Sequence, residues 1–128
     1  MKIVTVNVLG EPAPKGSRTV GRRKNGTIYT RPANPKEKGW QAAVAAACAD
    51  LSPLAPPYDV EVRFRFVSPQ KPKYKYPSRT DIDKLCRSTL DGMVNGGLIL
   101  DDRHITRLTA QKEYGTEGCV IRVRSLSE

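Results

Sequence analysis

Strict alternation of apolar and polar residues predicts two β-strands in this chain. Every second residue is valine from Val4 to Val8, which predicts a half-buried strand over residues 2–9. The same alternation runs from Val60 to Phe66, where the intervening residues are charged. We therefore expect one face of each strand to pack on the core and the other to face solvent.

A longer spacing of apolar residues predicts the first of two helices. Asn34 is the expected N-cap, Pro35 suits the first helical position, and the helix must end before Pro53. The apolar positions recur three or four residues apart at Trp40, Val44, Cys48 and Leu51. We assign Trp40 to core packing or to a contact between two copies of the chain.

The second helix is the better defined of the two and covers residues 82–94. Thr80 followed by Asp83 predicts a capping box at its start, and Gly96-Gly97 predicts its end. The positions predicted to face the core are Ile82, Leu85, Cys86, Thr89, Leu90, Met93 and Val94.

Two closing strands, residues 105–114 and 119–126, are expected to be joined by a hairpin loop at Gly115–Gly118. The order strand, helix, strand, helix, strand, strand predicts an α+β fold in which a small mixed sheet packs against two main helices. Residues 11–26 are rich in Pro, Gly and basic residues, and residues 15–31 are expected to form a flexible segment with a short ribbon that turns at Asn25-Gly26.

The length and composition of the chain exclude several classes of protein. With 128 residues, the chain is expected to form one domain over residues 1–128. It contains no run of about 18 apolar residues that could cross a membrane, and its start alternates rather than holding the apolar core of a signal peptide. Cys48, Cys86 and Cys119 are odd in number and far apart, so we expect buried, reduced thiols in a cytoplasmic protein.

Charge is distributed unevenly along this basic chain, whose net charge is +9. Residues 1–40 hold nine basic and two acidic side chains, and residues 63–79 hold six basic side chains and no acid. Residues 81–102 reverse the sign, with five aspartates against Lys84 and Arg87. The basic segments favour a polyanion as partner, although a basic composition also simply aids solubility.

The five aspartates, which we call the acidic island, suit a divalent cation. They are Asp81, Asp83, Asp91, Asp101 and Asp102. Because the second helix begins between Asp81 and Asp83, both carboxylates can turn toward one point. Carboxylates without a His/Cys set are typical ligands of Mg²⁺ or Mn²⁺, which can activate water against a phosphodiester. Two structural alternatives stay open, since acids stabilise a helix N-terminus and Asp83, Arg87 and Asp91 could form an i,i+4 ion-pair ladder.

The acidic island resembles the core of the RusA family of Holliday junction resolvases. The family pattern is approximately D-x-D-N-L-x-K-x-x-x-D-A-L, a short glycine-containing turn, one or two apolar residues and D-D. This sequence has D-I-D-K-L-C-R over residues 81–87, L-D-G-M over 90–93 and G-G-L-I-L-D-D over 96–102. The segment from Gly10 to Arg18, followed by Tyr29, resembles the basic N-terminal segment of many members.

The resemblance implies roles for individual residues. Asp81, Asp83 and Asp102 would be the catalytic carboxylates that bind the metal, with Asp101 and Asp91 as accessory acids. Arg87 stands in the place of the family's catalytic lysine, and its planar guanidinium holds phosphate differently from a compact ammonium. Lys84 stands where an asparagine is common, and it could supply the missing ammonium.

The function that the resemblance implies is Mg²⁺-dependent endonucleolytic cleavage, with Mn²⁺ as a possible substitute. A homodimer would cut four-way DNA junctions by paired symmetric nicks in DNA recombination or repair. No nucleotide cofactor and no membrane partner are implied. Small members of this family are typically encoded by phages, which places the protein in the cytoplasm of the host cell.

Basic and aromatic side chains flank the acidic island and are expected to contact DNA. These residues are Lys15, Arg18, Arg22, Arg23, Lys24, Lys71, Lys73, Lys75, Tyr74 and Tyr76. His104, the single histidine, is expected to be a surface residue rather than a zinc ligand. Two other functions remain open: a basic DNA- or RNA-binding protein without catalysis, and a nuclease that prefers flaps or other branched DNA.

Overall fold

The computed structural model describes residues 1–16, 18–32 and 35–127. The strands are β1 (Lys2–Leu9), β2 (Arg18–Arg22), β3 (Ile28–Pro32), β4 (Tyr58–Phe66), β5 (Ile105–Tyr114) and β6 (Gly118–Ser125). The helices are α1 (Glu37–Cys48) and α2 (Ile82–Asn95), and a 3-10 turn spans Asp102–His104. The predicted α+β fold and the predicted order of the main elements are confirmed.

The main sheet has four strands in the order β1-β6-β4-β5. β4 pairs in parallel with β5, and α2 lies between these two strands in sequence, so β4, α2 and β5 form a βαβ crossover. β6 is antiparallel to both of its neighbours, β1 and β4. A separate ribbon of β2 and β3 lies within residues 15–31, and Asn25 in its turn accepts a hydrogen bond from the Thr27 N–H.

The prediction of a β5–β6 hairpin is wrong, although both strands exist. β5 and β6 lie on opposite sides of β4, and the Gly115 N–H donates to the Phe66 carbonyl at the end of that strand. The short connection therefore spans the end of β4. The physical reason is that β4, which buries every second side chain from Tyr58 to Phe64, is a central strand with a neighbour on each edge, so β6 pairs with β4 rather than with β5.

The core lies between one face of the sheet and the two helices. Its largest fully buried side chains include Tyr58, Phe64, Leu85 and Met93. Most of the predicted inward positions of α2 are buried, but Ile82, in the first turn at the open end of the helix, is 37% exposed, and Val94 is half-buried. Trp40 is only 3% exposed, and its indole N–H donates to Thr89 Oγ1 on α2 at 3.0 Å. All three cysteines are free and buried, and burial raises the pKa of Cys119 to about 12.

α1 and α2 approach closely because glycine lies at their contact. A Cβ on Gly92 would lie 2.7 Å from Val44 Cβ, and a Cβ on Gly96 would lie 2.6 Å from the Ala45 carbonyl oxygen. This spacing leaves no room for a side chain at either position. The close contact brings the middle of α1 beside the C-terminal half of α2.

The predicted helix starts need correction. α1 begins at Glu37 with Lys36 as N-cap and no side-chain cap, while the predicted cap Asn34 lies outside the described residues. α1 also ends at Cys48, three residues before Leu51. The predicted capping box at α2 does not form, because Asp81 rather than Thr80 is the N-cap and makes no side-chain cap hydrogen bond.

Candidate active site

The first two aspartates of the acidic island lie at the open N-terminus of α2. Asp81 has an extended backbone, with φ −68° and ψ 129°, and Asp83 lies in the first helical turn. Both residues are exposed. Asp81 Oδ2 is 3.5 Å from Lys84 Nζ, so the lysine that the resemblance suggested as a site cation turns toward the helix start.

The alternative of an i,i+4 ion-pair ladder along α2 is not what the structure shows. Asp83, Arg87 and Asp91 lie one turn apart on the exposed side, but Arg87 has no acidic oxygen within 4 Å among the described residues. Asp91 instead pairs with Lys15, whose Nζ lies 2.8 Å from Asp91 Oδ2. The Arg87 guanidinium is therefore exposed and available to an anion.

The other three aspartates converge on one pocket of about 330 Å³, the acidic pocket. It is lined by Gln41, Asp91, Val94, Asn95, Asp101 and Asp102. The two helices supply one wall, and the segment after α2 supplies the other. The acidic pocket therefore depends on the tight contact between α1 and α2.

Buried anchors hold Asp101 and Asp102 beside the helix. Leu98 and Ile99 are at most 2% exposed, and the hydroxyl of buried Tyr58 accepts the Leu100 N–H at 3.2 Å. The Asp101 carboxylate then caps the 3-10 turn by accepting the Arg103 N–H at 3.1 Å. These contacts fix the backbone next to the acidic pocket.

The neighbouring carboxylates at the acidic pocket shift one another's protonation. The Arg103 backbone N–H and a hydrogen bond with Asp102 lower the pKa of Asp101. The hydrogen bond with Asp101 is the largest cause that raises the pKa of Asp102, with burial and the charges of Asp101 and Asp91 adding to it, while Lys15 opposes the rise. Asp102 therefore holds its proton to a higher pH than an isolated aspartate.

The predicted metal ligands Asp81, Asp83 and Asp102 do not already form one compact group. Asp83 and Asp91 are eight residues apart, which is about 12 Å along the helix axis. Among the described residues, no three His, Cys, Asp or Glu side chains already lie close enough together to hold a metal ion. The donor chemistry nevertheless fits a hard cation, since the polar side chains that line the acidic pocket are carboxylates and amides, with apolar Val94 beside them.

The sequence model of the family "Endodeoxyribonuclease RusA" matches residues 10–124. The chain belongs to this family. The match covers both helices, the acidic island and all but the first strand, so the predicted resemblance is confirmed. RusA proteins are endodeoxyribonucleases of the Holliday junction resolvase class, which gives this chain the general activity of a DNA nuclease. No curated protein matches the sequence significantly.

Several predicted DNA contacts of this RusA protein lie on a loop between β4 and α2, where Lys71, Lys73 and Lys75 are exposed. The rings of Tyr74 and Tyr76 stack with centroids 5.2 Å apart, and Lys73 Nζ lies 5.7 Å from the centre of the Tyr74 ring. Arg22, Arg23 and Lys24 are exposed at the turn of the ribbon, and Arg18 lies on β2.

Sequence reasoning missed two amides of the acidic pocket. Asn95 lies one helical turn after Asp91, and that spacing could have revealed it. Gln41 comes from α1, and no pattern in the sequence connects it to the aspartates. His104 is half-buried beside the predicted ligands. Within residues 1–16, 18–32 and 35–127, no helix is long and apolar enough to span a membrane.

Proposed function

We propose that this RusA protein is a Mg²⁺-dependent endonuclease that resolves four-way DNA junctions. The observation that supports this most directly is the acidic pocket itself. Three carboxylates line it in a chain with a net charge of +9. Acids at this position would repel DNA unless a cation occupied the site, so the arrangement favours metal-dependent cleavage over passive binding.

Asp81, Asp83 and Asp102 are the proposed metal ligands, with Mn²⁺ as a possible substitute for Mg²⁺. When bound, the metal polarises the phosphodiester and lowers the pKa of a water molecule. Asp101 accepts the Arg103 N–H and so orients the neighbouring Asp102. Because Asp102 must be ionised to bind a cation, its raised pKa makes the site sensitive to acid.

Arg87 is the proposed cation that offsets charge on the scissile phosphate. It lies on α2 between Asp83 and Asp91 and is exposed, and its guanidinium can donate two parallel hydrogen bonds to one phosphate. Lys84, whose ammonium faces Asp81, is proposed to support the helix start rather than the phosphate.

We propose that the basic turn of the ribbon and the loop with Lys71, Lys73 and Lys75 contact the phosphates of the DNA arms. The stacked rings of Tyr74 and Tyr76 offer an aromatic face to unpaired bases at a branch point. We also propose a homodimer, because two active sites related by a two-fold axis match paired nicks on a symmetric junction.

A cleavage assay on three DNA substrates tests this function. Labelled four-way junction, flap and linear duplex of the same sequences are incubated with the protein in Mg²⁺ and in EDTA. We expect paired nicks on the junction that need Mg²⁺ and little cutting of duplex. Preferred cutting of the flap would replace junction resolution with flap cleavage, and binding without cutting in Mg²⁺ or Mn²⁺ would contradict a nuclease.

A further inference from the structure

The segment before the ribbon is docked on α2. Pro12 and Ala13 are buried, and Ala13 is only 2% exposed. Ser88 Oγ donates a hydrogen bond to the Ala13 carbonyl, and the Lys15 N–H donates to the Lys84 carbonyl at 2.9 Å. These backbone contacts lead residues 12–15, the docked arm, along the polar side of α2 and do not depend on the Lys15 side chain.

The docked arm brings one ammonium to the rim of the acidic pocket. Lys15 Nζ lies 2.8 Å from Asp91 Oδ2, and Asp91 lines the acidic pocket together with Asp102. The Lys15 side chain is 49% exposed, against 34% for Asp91. One ammonium hydrogen faces Asp91, which leaves the other two for a further acceptor on the open side.

We infer that Lys15 supplies the active-site ammonium of this protein, holding Asp91 with one N–H and contacting a DNA phosphate with another. The inference rests on the proposed function and adds a residue to it. Arg87 stands where the resemblance places a lysine, and Lys84 pairs with Asp81 at the start of α2, outside the lining of the acidic pocket. The fold instead places the ammonium group of Lys15, a residue 76 positions earlier in the sequence, next to Asp91.

An ordinary surface ion pair would be the simplest alternative, since exposed pairs contribute little and are screened by salt. The fixed backbone at Ala13 and Lys15 argues against it, because hydrogen bonds from the Ser88 hydroxyl and from the Lys15 N–H hold the Lys15 main chain beside α2, within reach of Asp91. Lys36 offers a matched control. Its Nζ lies 2.7 Å from Glu11 Oε2, in a pair of the same kind that does not involve the acidic pocket.

The experiment compares Lys15→Ala, Lys15→Arg and Lys36→Ala with the wild type and with Asp102→Asn. Single-turnover cleavage of a saturating four-way junction is measured in Mg²⁺, and junction affinity is measured separately in Ca²⁺. We expect Lys15→Ala to slow cleavage about 10- to 100-fold while affinity falls only about two- to threefold, because one charge aimed at the reacting phosphate matters more to the rate than to binding.

Rescue distinguishes an ammonium from a structural role. Ethylammonium added to Lys15→Ala should restore part of the rate, and it should not restore Asp102→Asn. Lys15→Arg should keep more activity than Lys15→Ala, and Lys36→Ala should match the wild type. Thermal melts of all variants check that the docked arm keeps the fold intact.

Two failures are distinguishable in this design. If the wild type cleaves and Asp102→Asn does not, a Lys15→Ala rate within threefold of the wild type overturns the role of Lys15 alone. The same holds if the slow rate of Lys15→Ala is not rescued by ethylammonium or Lys15→Arg, since the loss is then structural. A wild type that does not cleave the junction overturns the proposed function and this inference together.

Discussion

The two ends of the acidic island differ in how they are held. Asp81 and Asp83, at the N-terminus of α2, are exposed, and the partner that the structure gives Asp81 is the flexible side chain of Lys84. Asp101 and Asp102 lie against helix residues around a pocket, on backbone fixed by buried Leu98 and Ile99. One end lies on backbone next to buried core residues, whereas the other is placed by the helix start and by the hydrogen bond from Lys112 Nζ to the Thr80 carbonyl.

This difference shows which carboxylates the fold holds in place in the absence of metal and DNA. The hydrogen bond with Asp101, burial and the charges of Asp101 and Asp91 raise the pKa of Asp102, whereas the pKa of Asp101 is lowered. Among the described residues no three His, Cys, Asp or Glu side chains already form a metal site, so under the proposed function Asp81 and Asp83 have to approach the acidic pocket when metal and DNA bind. Substitutions at the two ends should separate these contributions.

Removing one carboxylate at each end should have the largest effect. We expect Asp102→Asn and Asp81→Asn each to reduce cleavage at least about 1,000-fold while junction binding is retained, because both remove a ligand of the metal. The measurement is single-turnover cleavage beside a gel-shift titration.

Varying the identity and concentration of the metal ion further distinguishes the two ends of the acidic island. If the acidic pocket alone holds the ion, Asp81→Asn should recover activity at high Mn²⁺ while Asp102→Asn stays inactive. Unchanged nicking by either variant at ordinary Mg²⁺ would remove that residue from the set of metal ligands.

Disturbing the helix contact should affect the acidic pocket more than the helix start. Gly92→Ala places a Cβ 2.7 Å from Val44 Cβ, and overpacking of this kind costs about 1–3 kcal/mol of unfolding free energy. Urea unfolding measures the loss. Gly39→Ala is the control, since nothing lies within 4 Å of its Cβ and alanine should stabilise α1 by about 0.5–1 kcal/mol.

If α1 positions the acidic pocket through Gln41, Gly92→Ala should also weaken activation by Mg²⁺ at a temperature where the protein remains folded. A Gly92→Ala protein as stable as the wild type would show that α1 and α2 can separate without cost, against the close contact described above.

The smallest expected effect is a shift in the pH dependence of cleavage. The pKa of Asp102 is raised, chiefly by its hydrogen bond with Asp101, so activity should fall as the pH drops through that raised value and Asp102 takes up a proton. Asp101→Asn removes one negative charge but can still cap the 3-10 turn through its side-chain oxygen. The acidic limb of the rate profile should therefore move to lower pH, and a limb that stays in place would assign it to another group.

Local patterns in the sequence were sufficient to predict the strands and helices, because alternation at Val4–Val8 or Val60–Phe66 reports burial directly. The resemblance also located the acidic island. The position of β6 in the sheet could not be predicted. Its local sequence does not distinguish pairing with β5 in a hairpin from pairing with β4, and the choice depends on the whole sheet.

Contacts between distant residues were equally hidden from sequence reasoning. The Lys15–Asp91 pair joins residues 76 positions apart, and its geometry depends on how the docked arm packs on α2. Gln41 reaches the acidic pocket only because Gly92 and Gly96 let the helices approach. These contacts depend on how the chain packs in three dimensions, and they cannot be inferred from the spacing of residues within one segment.

The central place of β6 has a consequence for how the chain folds during synthesis. Residues 118–125 form this strand, which separates β1 from β4 and pairs with both. Until the ribosome has released it, β1 has no partner in the main sheet, and the most distant pairing joins Lys2 to Ser125. Closing such a long loop is slow compared with forming local contacts. The nuclease should therefore acquire its sheet, and with it any activity on DNA, only after translation of nearly all of these residues.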